Sequence, residues 1–270
     1  MRLTKHQGAG NDFLVVVDLD GEVDFGAPLA RALADRHRGI GADGVIRITP
    51  GSGPAAVTME LRNADGSLAE MSGNGIRCLA QAAVQAGIVP PGEFGVATAA
   101  GLRTVRFLPG DRPHLASASV DMGLAVLGAD LAAGVGEVWA RSVDMGNPHL
   151  VVFVETLDGV ELDRVGPELS GTVPGGANVE VVAPGPVPGS LDLVVWERGV
   201  GRTLACGTGT CAAAAAAHAR GAVGECVAVA NPGGLLTVEL GSDGAGIRLT
   251  GPVAYVGSVE VTPADLGVGA

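Results

Sequence analysis

Short apolar runs bounded by turn residues dominate the chain. The stretches "AVTMELR" (56–62), "GLRTVRFL" (101–108), "LDLVVWE" (191–197), "ECVAVA" (225–230), "LLTVEL" (235–240) and "GIRLT" (246–250) read as strands. By contrast, "APLARALADRH" (27–37) spaces its apolar residues for one face of a helix. Two alanine-rich stretches, after Gly75 and after Gly209, have high helix propensity. An alanine helix with little polar surface can be enclosed by sheet on all sides, and its small side chains allow close backbone approach. Both helices are therefore expected at the centre of their domains.

The pattern is written twice. "GNDFLVVV" from Gly10 and "GNPHLVVF" from Gly146 both read as a turn running into a strand, with Asn11 and Asn147 136 positions apart. "GADGVIRI" and "GANVEVV" align Ala42 with Ala177 at an offset of 135, and Asn63 and Glu197 differ by 134. Ser72 and Cys206, each nine residues further on, again differ by 134. A period this long is not that of a solenoid; it implies two similar domains facing each other. The expected fold is α/β (α+β), with two pseudo-symmetric domains. The boundary is expected in the Gly- and Ala-rich region between Pro109 and Ala133, and "YVGSVEV" (255–261), which has no counterpart in the first half, is expected to cross back. The domains are then residues 1–116 with 253–270, and residues 117–252.

Composition narrows the function. Hydrophobic residues at 47% suit a folded globule, and 44 glycines with 16 prolines suit short strands and tight turns. With 29 acidic against 17 basic residues, a net charge of −12 and no basic run, a nucleic-acid partner is not expected. The N-terminus lacks the apolar core of a signal peptide and no run spans a bilayer, so no membrane partner is expected. Four scattered cysteines do not make a disulfide framework, and a reducing cytoplasm is the expected location.

The chemistry centres on "SGNG" (72–75) and "CGTG" (206–209). Glycines just before a helix leave backbone N–H groups open at its positive end, which suits a carboxylate or phosphate. The same field favours a thiolate at Cys206 and predicts a lower pKa there than at Cys78, Cys211 or Cys226. A tight turn with a buried thiol is the other reading of "CGTGT". Cys206 and Cys211 fall on different faces of a helix and make poor metal partners, so no metal is expected. His218 lies about 18 Å along the helix from Cys206, too far to be its base. There is no phosphate-loop motif, no full dinucleotide fingerprint and no lysine in a pyridoxal phosphate context. Two helix ends related by pseudo-symmetry, holding one small anion between two acid/base groups, suit removal and return of an α-proton on opposite faces, which is racemase chemistry needing no cofactor.

The residues resemble those of the diaminopimelate epimerases over nearly the whole chain. The resemblance is carried by "GAGNDF" (8–13), "GIGADGV" (39–45), "RNADGS" (62–67), "SGNG" (72–75), "MGNPH" (145–149), "ERGVG" (197–201) and "ACGTGT" (205–210). It implies two domains, each wrapping a central helix in a curled, barrel-like sheet, with the substrate in the cleft between them. It also implies cofactor-independent interconversion of LL- and meso-diaminopimelate, a diamino-dicarboxylic acid of lysine and peptidoglycan precursor synthesis. Cys206 is then one catalytic thiol, and Ser72 stands where its partner thiol is expected. His149 and Glu197 would tune the acid/base pair. Gly73, Asn74, Gly207 and Thr208 would hold the α-carboxylate, while Asn11, Asn63, Asn147, Asn178 and Arg198 would engage other substrate groups. A homodimer is the expected assembly.

Two residues depart from the family pattern. Arg202 stands where glutamate is usual, and Ser72 offers a hydroxyl that needs a dedicated base where a thiol does not. Serine there either quiets the enzyme or relays protons through a neighbour. The rival readings are a racemase of another amino acid, a one-thiol elimination enzyme, and a catalytically silent amino-acid-binding module.

Overall fold

The apolar runs form strands and the alanine-rich stretches form helices in the computed structural model, which describes residues 1–131, 139–241 and 246–268. In chain order the elements are β1 (Arg2–Gly8), β2 (Asn11–Val17), α1 (Ala27–Ala34), β3 (Gly44–Pro50), β4 (Ala55–Asn63), β5 (Leu68–Ala69), α2 (Gly73–Gln85), β6 (Gly92–Thr98), β7 (Gly101–Pro109) and β8 (Leu115–Asp121). There follow β9 (Val126–Leu131), β10 (Trp139–Asp144), β11 (Pro148–Phe153), α3 (Leu162–Ser170), β12 (Asn178–Pro184), β13 (Leu191–Glu197), β14 (Gly201–Thr203), α4 (Gly207–Ala219), β15 (Cys226–Asn231), β16 (Gly234–Leu240) and β17 (Ile247–Glu260). Two compact units result, Met1–Val120 with Pro252–Ala270, and Asp121–Gly251.

In the first unit the later part of β17 pairs antiparallel with β1, and β1 antiparallel with β2. The steps then run parallel to β3, antiparallel to β4, parallel from β4 to β6, and antiparallel to β7 and β8. β8 pairs in turn with β17, so eight strands close on themselves. In the second unit β9 to β10 and β10 to β11 are antiparallel, β11 to β12 parallel and β12 to β13 antiparallel. β13 to β15 is parallel, and β15 to β16 and β16 to β17 are antiparallel. The Met122 N–H donates to the Ile247 carbonyl at 2.8 Å and the Ile247 N–H to Gly123 at 2.7 Å, tying the lead-in of β9 to the start of β17. The order of parallel and antiparallel steps is the same in both units.

Each curled sheet holds one alanine-rich helix. α2 packs on β1, β2, β3, β4 and β7, and residues 73–83 are all buried. α4 packs on β10, β11, β12, β13, β15 and β16, and residues 212–217 are all buried. Alanine suits the position, because a helix surrounded by strands has little room for larger side chains; the polar residues that α2 does bury, such as Arg77 and Gln81, are hydrogen-bonded. The strands β2 and β12 are buried on both faces, because α1 and α3 cover them from outside. Leu14 and Val16 pack with Leu29, Ala30 and Leu33 of α1, and Val179 and Val181 pack with Leu162 of α3. Alternation along β12 then sends Glu180 to the opposite face, toward α4.

Three local details differ from the expectation. The first helix stops at Ala34 rather than His37, because Asp35 turns extended and its carboxylate accepts the His37 and Arg38 N–H groups at 2.8 and 2.9 Å. The central helices begin at Gly73 and Gly207, two residues before Gly75 and Gly209. The stretches "GIRLT" and "YVGSVEV" are one strand, β17, whose residues from Pro252 onward belong to the first unit.

Candidate active site

Ser72 and Cys206 are the N-cap residues of the two central helices. Both have extended backbone, φ −142° and ψ 120° at Ser72, φ −118° and ψ 118° at Cys206. The Ser72 hydroxyl accepts the Gly75 N–H at 3.0 Å, and the Cys206 Sγ accepts the Gly209 N–H at 3.4 Å. Each side chain thus satisfies one donor of the open first turn. Serine suits this role well, whereas cysteine is not among the favoured caps, so Cys206 is not explained by helix capping.

In the second unit the other named residues gather beneath that turn. Cys206 Sγ lies 3.4 Å from the Thr208 hydroxyl, and its thiol is hydrogen-bonded to the Glu197 carboxylate at the end of β13. Glu197 also accepts from the Thr203 hydroxyl of β14 at 2.5 Å. His149 is fully enclosed: Nδ1 lies 2.8 Å from Glu180 Oε1, and Nε2 lies 3.0 Å from the Asn147 side-chain oxygen. Parallel pairing of β11 and β12 aligns His149 with Asn178, two residues before Glu180 and on the same face of the strand. Gly209 permits the approach of that carboxylate to the helix, since a Cβ there would lie 2.2 Å from Glu180 Oε1. Asn178 accepts the Arg198 backbone N–H at 2.9 Å, and the exposed Arg198 guanidinium donates to the Gly175 and Gly176 carbonyls, both at 3.1 Å.

The helix-end field alone predicts an acidic thiol at Cys206, and the folded unit reverses that expectation. Burial, then the nearby carboxylates of Glu197 and Glu180, push the thiol well above its ordinary value, against the weaker pull of Thr208 and the Gly209 N–H. Burial also raises the Glu197 carboxyl, opposed by the Thr203 hydroxyl. The pair therefore holds a proton tightly, and Glu197 is suited to receive the thiol's proton. Cys78, enclosed in α2, is pushed by burial up to about 12 and is inert packing.

The first unit has a different electrostatic character. Arg77, fully buried, donates to the Gly73 carbonyl at 3.0 Å and to the Asn74 side-chain oxygen at 2.9 Å, so a cation braces this helix turn. The Asn74 amide donates to Asn11 at 3.4 Å, and Asn11 donates to Asp43 at 2.6 Å. Asn63 instead bonds Ser67 within its own turn, side chain to hydroxyl at 3.0 Å. Arg202 is exposed on β14, opposite Trp196.

Beside Asn11, Asp12 is clamped by Lys5 at 2.8 Å and Arg36 at 2.7 Å. Burial would raise its carboxyl, but hydrogen bonds and charge from Arg36 and Lys5 outweigh it and hold it at about 2. A depressed carboxyl contributes stability that is present above its unfolded value of 3.8 and is lost as pH falls toward 2. The Asp12→Asn variant is expected to be roughly 2 kcal/mol less stable than the parent at pH 7, with the gap shrinking between pH 4 and 2. Urea denaturation across that range measures it.

The structure thus joins Cys206, Thr208, Glu197 and Thr203 in one network and His149, Asn147 and Glu180 in an adjoining one. It joins Asn74 to Asn11, while Asn63 and Arg198 are held within their own loops. Glu180 was not legible as a site residue, although a charged residue at an inward strand position in "NVEVV" was the signal. Among the described residues no group of three His, Cys, Asp or Glu is placed to hold a metal ion, and no helix is long and apolar enough to cross a membrane.

The chain is similar to known proteins over nearly its whole length. A family model described as diaminopimelate epimerase matches residues 3–127 and 141–256. Diaminopimelate epimerase of Thermobifida fusca is 41% identical, over 97% of this chain and 98% of its own. That of Corynebacterium glutamicum (strain ATCC 13032) is 40% identical, over 95% of this chain and 96% of its own. Among solved structures, a hydroxyproline epimerase from Agrobacterium vitis with bound trans-4-hydroxy-L-proline superposes with a TM-score of 0.76 at 20% identity, covering 97% and 90% of the two chains. A predicted epimerase from Pseudomonas aeruginosa superposes with a TM-score of 0.73 at 19% identity, covering 96% and 98%. At such identities these structures speak for the fold alone.

Proposed function

Because the chain belongs to the diaminopimelate epimerase family, we propose that it interconverts LL- and meso-diaminopimelate by moving a proton off and onto one α-carbon with its own side chains. The observation that carries this reading is the Cys206 thiol at the N-cap of α4 with the raised Glu197 carboxyl against it.

In the proposed cycle the substrate α-carboxylate takes the backbone N–H groups of Gly207 and Thr208, with Gly73 and Asn74 serving it from the other half of the duplication. Asn11, Asn63, Asn147, Asn178 and Arg198 orient the remaining polar groups. The Cys206 proton passes to Glu197, leaving a thiolate; the thiolate takes the Cα proton and becomes a thiol again, and the electron pair left on carbon is stabilised by the docked carboxylate. Return of a proton from the opposite face falls to Ser72. A serine hydroxyl can give a proton to a carbanion, but the alkoxide it leaves must then be reprotonated. In the reverse direction serine is a poor base at neutral pH. Ser72 is therefore the slow half of the cycle. A cytoplasmic homodimer, with domain halves near 1–116 plus 253–270 and 117–252, belongs to the same proposal.

Incubation of each isomer in D₂O tests it. One isomer is expected to take up deuterium at Cα with retention faster than it inverts, since exchange needs only the Cys206 half. Absence of both exchange and inversion with either isomer overturns the reading in favour of a silent binder.

A further inference from the structure

Glu180 has no part in the cycle above, yet its placement is demanding. Its side chain is fully buried, and among the described residues its Oε2 has no hydrogen-bond partner. An unpaired carboxylate oxygen away from water costs stability, so the position is not explained by packing economy. Oε1 reaches His149 Nδ1 at 2.8 Å, and the carboxylate presses on the first turn of α4 at the one place where glycine leaves room for it. An alanine at position 209 would collide with it.

We infer that Glu180 is a positioning residue of the Cys206 centre, holding the His149 ring through Oε1 and setting the field beneath the first turn of α4. The groups around Cys206 and its partner Glu197 come from every neighbouring element: Glu197 itself from β13, Thr203 of β14 bonded to Glu197, Glu180 from β12, His149 from β11 acting on Glu197 and bonded to Asn147, and Thr208 in the turn of Cys206. Two carboxylates against one thiol keep the thiol protonated in the free protein. Glu180 supplies the share of that charge that does not exchange protons with Cys206. This inference rests on the reading that Cys206 moves the Cα proton.

The test uses the Glu180→Gln variant, which preserves shape and removes charge. Iodoacetamide labelling of Cys206, followed by peptide mapping across pH 6–10, reads the thiol without substrate. Removing a neighbouring negative charge favours the thiolate, so the labelling midpoint is expected to move to lower pH and the rate at pH 7 to rise about tenfold. Glu180→Asp, which restores the charge, is expected to return the midpoint toward the parent's. An unchanged midpoint in a folded Glu180→Gln protein overturns the inference. If that variant does not fold, ¹⁵N NMR of the histidine rings in the parent decides: a protonated Nδ1 on His149 supports the inference, and a bare Nδ1 overturns it. Labelling that shifts as expected in a chain showing no exchange at Cα upholds the role of Glu180 and overturns the epimerase reading instead.

Discussion

Replacing Cys206 with serine is expected to lower α-proton exchange of the isomer that Cys206 serves by about 10³-fold, within the range lost when a positioned acid/base group is removed. Serine can take the Gly209 N–H as Ser72 takes the Gly75 N–H, so the first turn of α4 keeps its cap. Stability is therefore expected to be unchanged or to rise by up to about 1 kcal/mol. Exchange measured by mass spectrometry, alongside a thermal melt, separates chemistry from folding. If Cys206→Ser exchanged as fast as the parent, the thiol would have no part in the reaction, and "CGTGT" would be a turn with a buried sulfur.

Replacing Ser72 with cysteine is expected to raise the rate of inversion by about 10²-fold or more, with little change in exchange of the isomer served by Cys206. A thiol can cycle between base and acid near neutral pH, whereas a serine alkoxide cannot persist there. The neighbourhood favours the change. The first turn of α2 is braced by the buried Arg77 cation, not by two carboxylates as at Cys206, so the introduced thiol ionises more readily than Cys206 does. Sulfur is the weaker cap, and the substitution is expected to cost about 0.5–1 kcal/mol. Activity that rises as stability falls is the expected signature. A parent that inverts briskly, with no gain on Ser72→Cys, would mean that serine relays its proton through a neighbour.

The two central helices, most of the strands and the repeat were legible because each is encoded by consecutive residues. Glycine pairs ahead of alanine runs mark helix starts, and β-branched runs between turn residues mark strands. The short reach of α1 was not legible, because Asp35 competes for the backbone in a way propensity alone does not weigh. Candidate residues in motif blocks were visible, yet their partners were not. Asn63 turns to Ser67 and Arg198 to Gly175, contacts made by loop shape.

The amino-acid order by itself determined which atoms cap the helices: a hydroxyl at Ser72, a thiol at Cys206, each with open N–H groups behind it. That follows from local geometry, since an N-cap and its first turn lie within four residues. Only the tertiary structure decided what those caps face. The parallel register of β11 and β12 brings His149 to Glu180 across 31 positions, and the pairing of β13 with β14 brings Thr203 to Glu197. The field of a helix end is a property of neighbours in sequence, whereas desolvation and buried charge are properties of neighbours in space. At Cys206 burial and the carboxylates of Glu197 and Glu180 outweigh the helix end, and they turn the acidic thiol expected from the sequence into one that holds its proton.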